Sequence, residues 1–472
     1  MLLTYPRSDI APASGHLEQK SDFSGVEQPE SVQGDSQSYS IVHPIHGLPV
    51  ELLASIFVYC LPLDKQHLRP SGAPLLLTRI CGTWRAIALR TPELWSFVSF
   101  ELFHAPKERI SAKISMLEYW LKHGAAHPLS IYLHYRQPLD AAVPLLSAQS
   151  PRWQDVDLFL HPMTLAKFSS LHLPRLRRLS LGCLQGGVAL TSPITAFSDA
   201  PQLCDVSLVK LVPSTVALPW AQLTSFSCQC TDFRDGLSVL YLAPALKHLR
   251  LDQECPLHID LTPVPELEPC VHTHLESLAV HTHPAAPVAL RLLLPALTLP
   301  SLHTLVLPTL GPADVSAFAA FARRTPALTR LTLAVAPLPA DALLPLLSPL
   351  PALARLGLHH VGEPLLCELF DALAADGAFL PRLGALDVDC FCAAVPYPQL
   401  LAALQARWGS TDASTGAMPS VHVQAPAKLS SCTMTSLAPK RTPDPKYLLP
   451  LQALKAQGLH ISVSYFAEGN AL

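Results

Sequence analysis

The sequence predicts an α/β chain in which a small N-terminal helical module precedes a solenoid of short parallel strands backed by helices and loops. Three observations predict it. The chain has 472 residues, too many for one ordinary core, so several domains or a repeat array are required. An apolar phrase returns eight times between Pro174 and Val388. Upstream of it, Leu48, Leu52, Leu53, Ile56 and Phe57 fall on one stripe at helical spacing.

The repeating phrase begins as Pro174-x-Leu176-x-x-Leu179-x-Leu181, Pro201-x-Leu203-x-x-Val206-x-Leu208 and Pro244-x-Leu246-x-x-Leu249-x-Leu251. It continues through Leu275-x-x-Leu278-x-Val280, Pro300-x-Leu302-x-x-Leu305-x-Leu307, Pro326-x-Leu328-x-x-Leu331-x-Leu333, Pro351-x-Leu353-x-x-Leu356-x-Leu358 and Pro381-x-Leu383-x-x-Leu386-x-Val388. Its period of roughly 25 to 30 residues is that of a leucine-rich-repeat solenoid. Within each phrase the last two apolar residues alternate with a variable one, which makes a short strand with leucines inward and the intervening side chain outward. Leu129 to Leu133 and Trp153 to Leu160 read as irregular first strands. Ala313 to Arg324, Ala340 to Leu347, Leu365 to Ala375 and Gln399 to Trp408 read as helices bracketed by Pro and Gly. The chain's one asparagine is Asn470, so a buried asparagine ladder is excluded and the turn amides and carbonyls need other partners.

Composition agrees. Hydrophobic residues make up 49% and charged residues 15%, below the usual share of about 25%. The 47 prolines break apolar runs into short pieces and exclude long helices over most of the chain. A formal net charge of -3 gives no footprint for nucleic acid or an anionic membrane, so neither partner is expected. The apolar run Ala285 to Pro300 is interrupted by Arg291 and prolines, and Arg7 and Asp9 fall where a secretion signal needs an apolar core. Twelve cysteines without framework spacing fit free thiols, hence a cytoplasmic or nuclear location.

The expected organisation is a disordered tail over residues 1–43, a helical domain over 44–105, irregular repeats over 106–408, a low-complexity loop or insertion over 409–446 and a capping unit over 447–472. The cap is read from a helix over Tyr447 to Gln457 and an alternating strand over Leu459 to Tyr465. In the helical domain, Pro49 suits a first helical turn and Glu51 the positive helix end; Pro62 ends this helix. A second stripe carries Leu77, Ile80, Cys81, Trp84 and Ala88. A third cluster, Leu94, Trp95 and Val98, follows Pro92, with Thr91 as the expected cap of a short helical turn.

The ordered set Leu48-Pro49-x-Glu51-Leu52-Leu53-x-x-Ile56-Phe57, Ile80-Cys81-x-x-Trp84-Arg85-x-Ile87-Ala88 and Pro92-x-Leu94-Trp95 resembles the F-box family, most of all its fungal members, over about residues 44 to 100. The resemblance implies that Leu48, Pro49, Leu52, Leu53, Ile56, Phe57, Leu77, Ile80, Trp84 and Trp95 serve binding to a Skp-type adaptor of an SCF-type cullin-RING ubiquitin ligase, with Trp84 and Trp95 expected to form the module's core rather than direct contacts. The repeats would then hold a protein target, with Arg178, Arg250, Arg330 and Arg355 as its contacts on a concave strand face. The chain is expected to be no enzyme and to need no cofactor; no nucleophile elbow, phosphate-cradling glycine loop or dinucleotide fingerprint is present. The alternative is a scaffold in which the helical module is only a structural cap. Metal ligation by Cys270, His272, His274, His281 and His283, or by the pairs Cys228 with Cys230 and Cys390 with Cys392, is disfavoured by one-residue spacing.

Overall fold

A computed structural model describes residues 44–62, 72–101, 109–183, 193–230, 233–253, 268–282, 290–335, 338–392, 395–408, 427–436, 444–465 and 469–470. The chain divides into two units, Met1–Pro49 and Val50–Leu472. In the first, the described residues form a 3-10 turn, Pro44–Gly47, followed by exposed Leu48 and Pro49. The expected tail over residues 1–43 lies outside the described residues.

The second unit opens with α1 (Val50–Tyr59), α2 (Leu77–Ile80), α3 (Gly82–Arg90) and α4 (Ile110–His123). The remaining helices are α5 (Ala142–Ser147), α6 (Pro162–Leu165), α7 (Phe233–Leu237), α8 (Val239–Leu242), α9 (Leu290–Ala296), α10 (Val315–Arg323), α11 (Leu343–Leu347), α12 (Glu363–Ala375), α13 (Tyr397–Trp408) and α14 (Pro445–Ala456). Strands run β1 (Phe97–Glu101), β2 (Leu129–His134), β3 (Trp153–Phe159), β4 (Arg178–Gly182), β5 (Asp205–Val209), β6 (Ser225–Cys230), β7 (His248–Gln253), β8 (Cys270–Val271) and β9 (Ser277–His281). They continue with β10 (Leu297–Thr298), β11 (Thr304–Thr309), β12 (Arg330–Ala334), β13 (Arg355–Val361), β14 (Ala385–Cys390), β15 (Ser431–Ser436), β16 (His460–Tyr465) and β17 (Gly469–Asn470).

Among the described residues fifteen strands form one sheet in chain order, and β8 and β10 form a separate pair. Among the described strands every pair is parallel except the short antiparallel β16–β17 contact. This is a mixed α/β repeat solenoid of the leucine-rich-repeat kind. Its register explains the repeated phrase. Val156, Leu179, Val206, Phe226, Leu249, Leu278, Leu305, Leu331, Leu356, Leu386, Cys432 and Ile461 are successive register partners, and each is buried. The first leucines of the phrase, such as Leu176, Leu203 and Leu246, are buried as well. Each buried leucine contributes about 1.5–3 kcal/mol. Since a unit cannot bury these faces alone, stacking is what makes the chain fold.

Backbone bonds replace an asparagine ladder. Arg177 N–H donates to Gln154, Cys204 to Arg177, Thr224 to Cys204, Lys247 to Thr224, Glu276 to Lys247 and His303 to Glu276, one carbonyl per repeat at 2.8–3.1 Å. Three arginines close helix ends that the ladder leaves open. Arg152 donates to the carbonyls of Leu121, Gly124 and His127, Arg324 to those of Leu294 and Leu297, and Arg407 to those of Leu373, Asp376, Phe379 and Leu380. Burial depresses the pKa of Arg152 and Arg407. These cations satisfy the orphan carbonyls at helix C-termini. Gly124 is required for this: a Cβ there would sit 2.6 Å from Arg152 Nη2 and 2.9 Å from the Trp95 carbonyl oxygen.

Three sequence readings are corrected. The segment 409–446 is not simply a loop, because it contains β15, which bridges β14 and β16 in full register; Cys432 and Met434 fill the leucine columns there. The sheet begins with β1, inside the span assigned to the helical domain, and Val98 is a strand residue in its core. Thr91 does not cap the turn after it; its Oγ1 donates back to the Ile87 carbonyl at 2.8 Å and closes α3.

Candidate functional site

Two surfaces are candidates, one on the helical module and one on the outward face of the sheet. On α1, Glu51 lies in the first turn, where the helix dipole favours it, and Ser55 Oγ donates to the Glu51 carbonyl at 2.9 Å. Leu53 and Phe57 point into the core at 2% and 1% exposure, and Phe57 packs on Trp84 with ring centroids 4.8 Å apart. An ordinary surface helix would be polar elsewhere. Instead Leu52, Ile56 and Tyr59, spaced at i, i+4 and i+7, are 52%, 40% and 89% exposed, forming a second apolar stripe. Leu76 and Ile80 are likewise exposed on and beside α2.

The residues implied by the F-box resemblance therefore separate into two groups. Leu53, Phe57 and Leu77 are buried and cannot make a surface contact in this fold, so the reading of them as contacts is corrected to core; Trp95 is buried too, in the core place expected for it. Trp95 donates from Nε1 to the Ala88 carbonyl at 2.8 Å and packs edge-on against Trp120 of α4 at 4.9 Å. Trp84 is half-buried against Phe57, with its amide capped by Cys81 Sγ at 3.4 Å. Leu52, Ile56 and Ile80 are exposed, and Leu48 and Pro49 are exposed in the first unit.

On the sheet, Arg178, Arg250, Arg330 and Arg355 are all exposed, because each alternates along its strand with buried leucines, Leu179, Leu249 with Leu251, Leu331 and Leu356. Their electrostatic situations differ. Arg178 donates to both Asp155 oxygens, from Nε at 2.7 Å and Nη2 at 3.0 Å, and that bond raises its pKa. Arg250 Nε lies 2.9 and 3.2 Å from the Asp252 oxygens, with the same effect. Arg355 has Asp387 at 3.6 Å. Arg330 makes no ion pair among the described residues. Farther along the strands His359 Nδ1 meets Asp389 at 2.5 Å and His134 Nε2 meets Asp157 at 3.1 Å.

The cysteine and histidine pairs have structural positions. Cys228 occupies the leucine column of β6. Cys390 and Cys392 are buried at the end of β14, where contact between the two thiols lowers the pKa of Cys390 and raises that of Cys392. Buried His272 donates from Nε2 to the Ala243 carbonyl at 3.1 Å. His283 lies outside the described residues. Among the described residues no group of three or more His, Cys, Asp or Glu is placed to hold a metal ion, and no helix is long and apolar enough to cross a membrane.

No family model matches the chain, and no curated protein matches it. Among solved structures the chain is similar to a Bacteroides fragilis protein at 17% identity, covering 46% of this chain and 61% of that one, with a TM-score of 0.30. It is similar also to the leucine-rich repeat-containing protein LegL7 of Legionella pneumophila at 13% identity, covering 57% of this chain and 85% of that one, with a TM-score of 0.32. The chain thus spans about 61% of the length of the Bacteroides protein.

Proposed function

We propose that this chain is a substrate-recognition adaptor of an SCF-type cullin-RING ubiquitin ligase, in the cytoplasm or nucleus, and not itself an enzyme. The α1–α3 module, with the F-box-like motif order, binds a Skp-type adaptor; the outward face of the sheet binds a protein target and brings its lysines near a conjugating enzyme held elsewhere on the scaffold. The observation that carries this reading is the second apolar stripe of α1, Leu52, Ile56 and Tyr59, which the chain's own core leaves exposed although Leu53 and Phe57 already anchor the helix. Aliphatic and aromatic anchors on a short helix are the ordinary currency of helix-in-groove recognition.

The test is co-purification of the full chain with a Skp-type adaptor, comparing wild type with Leu52→Ala plus Ile56→Ala. Wild-type capture lost in the folded variant supports the ligase reading. No capture by wild type defeats it. A second reading has its own observation: Trp95 packs on Trp120 and the module leads directly into β1, so it covers the first turn of the solenoid. In that reading the module is a structural cap on an interaction scaffold, and adaptor capture separates the two.

A further inference from the structure

We infer that the cleft between α7, α8 and the β8–β10 pair binds a small uncharged molecule with a hydrocarbon body and one hydroxyl group. This goes beyond the adaptor reading and does not depend on it, since the cleft shares no residue with the α1 stripe or with the four outward arginines. Among the described residues the main sheet passes from β7 to β9, and β8 and β10 form their own two-residue pair. There α9 runs straight into β10 at Ala296 and Leu297, and α8 is a single turn. These short elements leave a cleft of about 250 Å³.

Its walls are largely apolar, made by Leu237, Leu240, Ala296 and Leu297, with buried Cys270 beside them. Burial pushes the Cys270 thiol up, as a wall of low polarity does. The two hydroxyl groups that line the cleft have committed their hydrogens. Tyr241 Oη donates to the Glu268 carbonyl at 2.9 Å, and Ser238 Oγ donates to the Asp235 carbonyl at 2.6 Å. A hydroxyl has a single hydrogen, so both offer the cleft lone pairs alone. A matching ligand must bring the donor: an alcohol does, whereas an ether or a carboxylate does not. Arg234 and Glu268 also line the cleft with opposite charges, so no net charge draws an ion, and burying one against leucines is costly. Volume sets the size. An apolar cavity of about 150 Å³ holds benzene, so this cleft suits about nine or ten non-hydrogen atoms. The Tyr241 ring, 58% exposed, is apolar surface that such a molecule would cover.

The experiment titrates the full chain with 1-octanol, its isomeric ether 1-methoxyheptane, and octanoate, read by saturation-transfer NMR of the small molecule. Octanol is expected to bind saturably, about fivefold more tightly than the ether, which lacks the donor. Octanoate, which must bury a charge, should bind at least about tenfold more weakly than octanol. Ala296→Phe fills the cleft and should abolish binding of all three. Tyr241→Phe with Ser238→Ala removes both acceptors and should erase the advantage of octanol over the ether while the ether stays bound. Thermal melting without ligand establishes that each variant is folded, and the hydroxyl pair decides alone should Ala296→Phe not fold. Absence of saturable octanol binding overturns the inference. So does octanol binding that survives in folded Ala296→Phe, ether or octanoate that binds as tightly as octanol, or an octanol advantage that survives loss of the two hydroxyls. Capture of a Skp-type adaptor is a separate readout, and neither result there bears on the cleft.

Discussion

Leu52 and Leu53 are neighbours on α1 and meet opposite environments: Leu53 is 2% exposed in the core and Leu52 is 52% exposed. Ile56 and Phe57 repeat the division one turn later, at 40% and 1%. Substitution separates the two roles. Leu53→Ala should cost about 2–5 kcal/mol and Phe57→Ala about 3–5 kcal/mol. Leu52→Ala and Ile56→Ala should stay within about 0.5 kcal/mol of wild type. Thermal unfolding of the four variants checks this, and it makes the exposed pair the proper reagent for adaptor binding, because a loss of capture with Phe57→Ala would report folding.

Arg407 is expected to be a stabilising residue despite its charge. Its guanidinium serves the carbonyls of Leu373, Asp376, Phe379 and Leu380, where α12 ends and the chain turns toward β14. Truncation leaves the two buried carbonyls of Leu373 and Leu380 and the part-buried ones of Asp376 and Phe379 without this donor, at about 1 kcal/mol or more for each buried one. Arg407→Ala should lower stability by about 3 kcal/mol, and Arg407→Lys should recover only part of it, since an ammonium is one point donor rather than a planar fork. The urea midpoint is the measurement.

Met434 tests whether β15 is integral to the solenoid. Its side chain is fully buried between Val388 and Val463, its register partners. Met434→Ala should cost about 2–5 kcal/mol, as for a core residue. A change within about 0.5 kcal/mol would be the behaviour of a surface loop and would refute the strand's place in the core.

At α14, Asp444 Oδ1 accepts the Lys446 backbone N–H at 3.0 Å, and this bond holds the Asp444 pKa below the usual carboxylate range. A depressed folded pKa means that the stabilisation is complete above the unfolded value near about 3.9 and disappears as pH falls through the folded value. The Lys446 amide resonance in a selectively labelled chain should therefore titrate with a midpoint below about 3.9. Asp444→Asn should keep the cap and abolish the titration. A midpoint at or above the unfolded value would contradict the bond.

Much of the solenoid was legible because its strands obey one rule. In seven of the eight phrases, as at Leu179 with Leu181 and Leu331 with Leu333, period-two alternation of Leu or Val and a preceding Pro-x-Leu mark the strand; Leu278 with Val280 keeps the alternation without the proline. The rule was silent where other apolar residues took those places. β6 uses Phe226 and Cys228, and β15 uses Cys432 and Met434 inside a Ser- and Thr-rich stretch. Cysteine and methionine fill a core as leucine does, yet neither marks a repeat. The buried arginines were illegible for the complementary reason: a charge is read as surface, and only the helix end lying against Arg407 makes burial favourable.

The sequence by itself determined the repeat, the inward direction of the strand leucines in the repeated phrase and the outward position of Arg178, Arg250, Arg330 and Arg355, because strand periodicity is local. Tertiary structure alone decided which of two adjacent apolar stripes on α1 enters the core, and which of four equivalent arginines already has a carboxylate. Both outcomes depend on what neighbouring elements bring within a few ångströms: Trp84 against Phe57, Asp155 against Arg178, and for Arg330 another arginine in the facing register. Burial and charge pairing are properties of contacts between segments remote in the chain, and no periodicity encodes them.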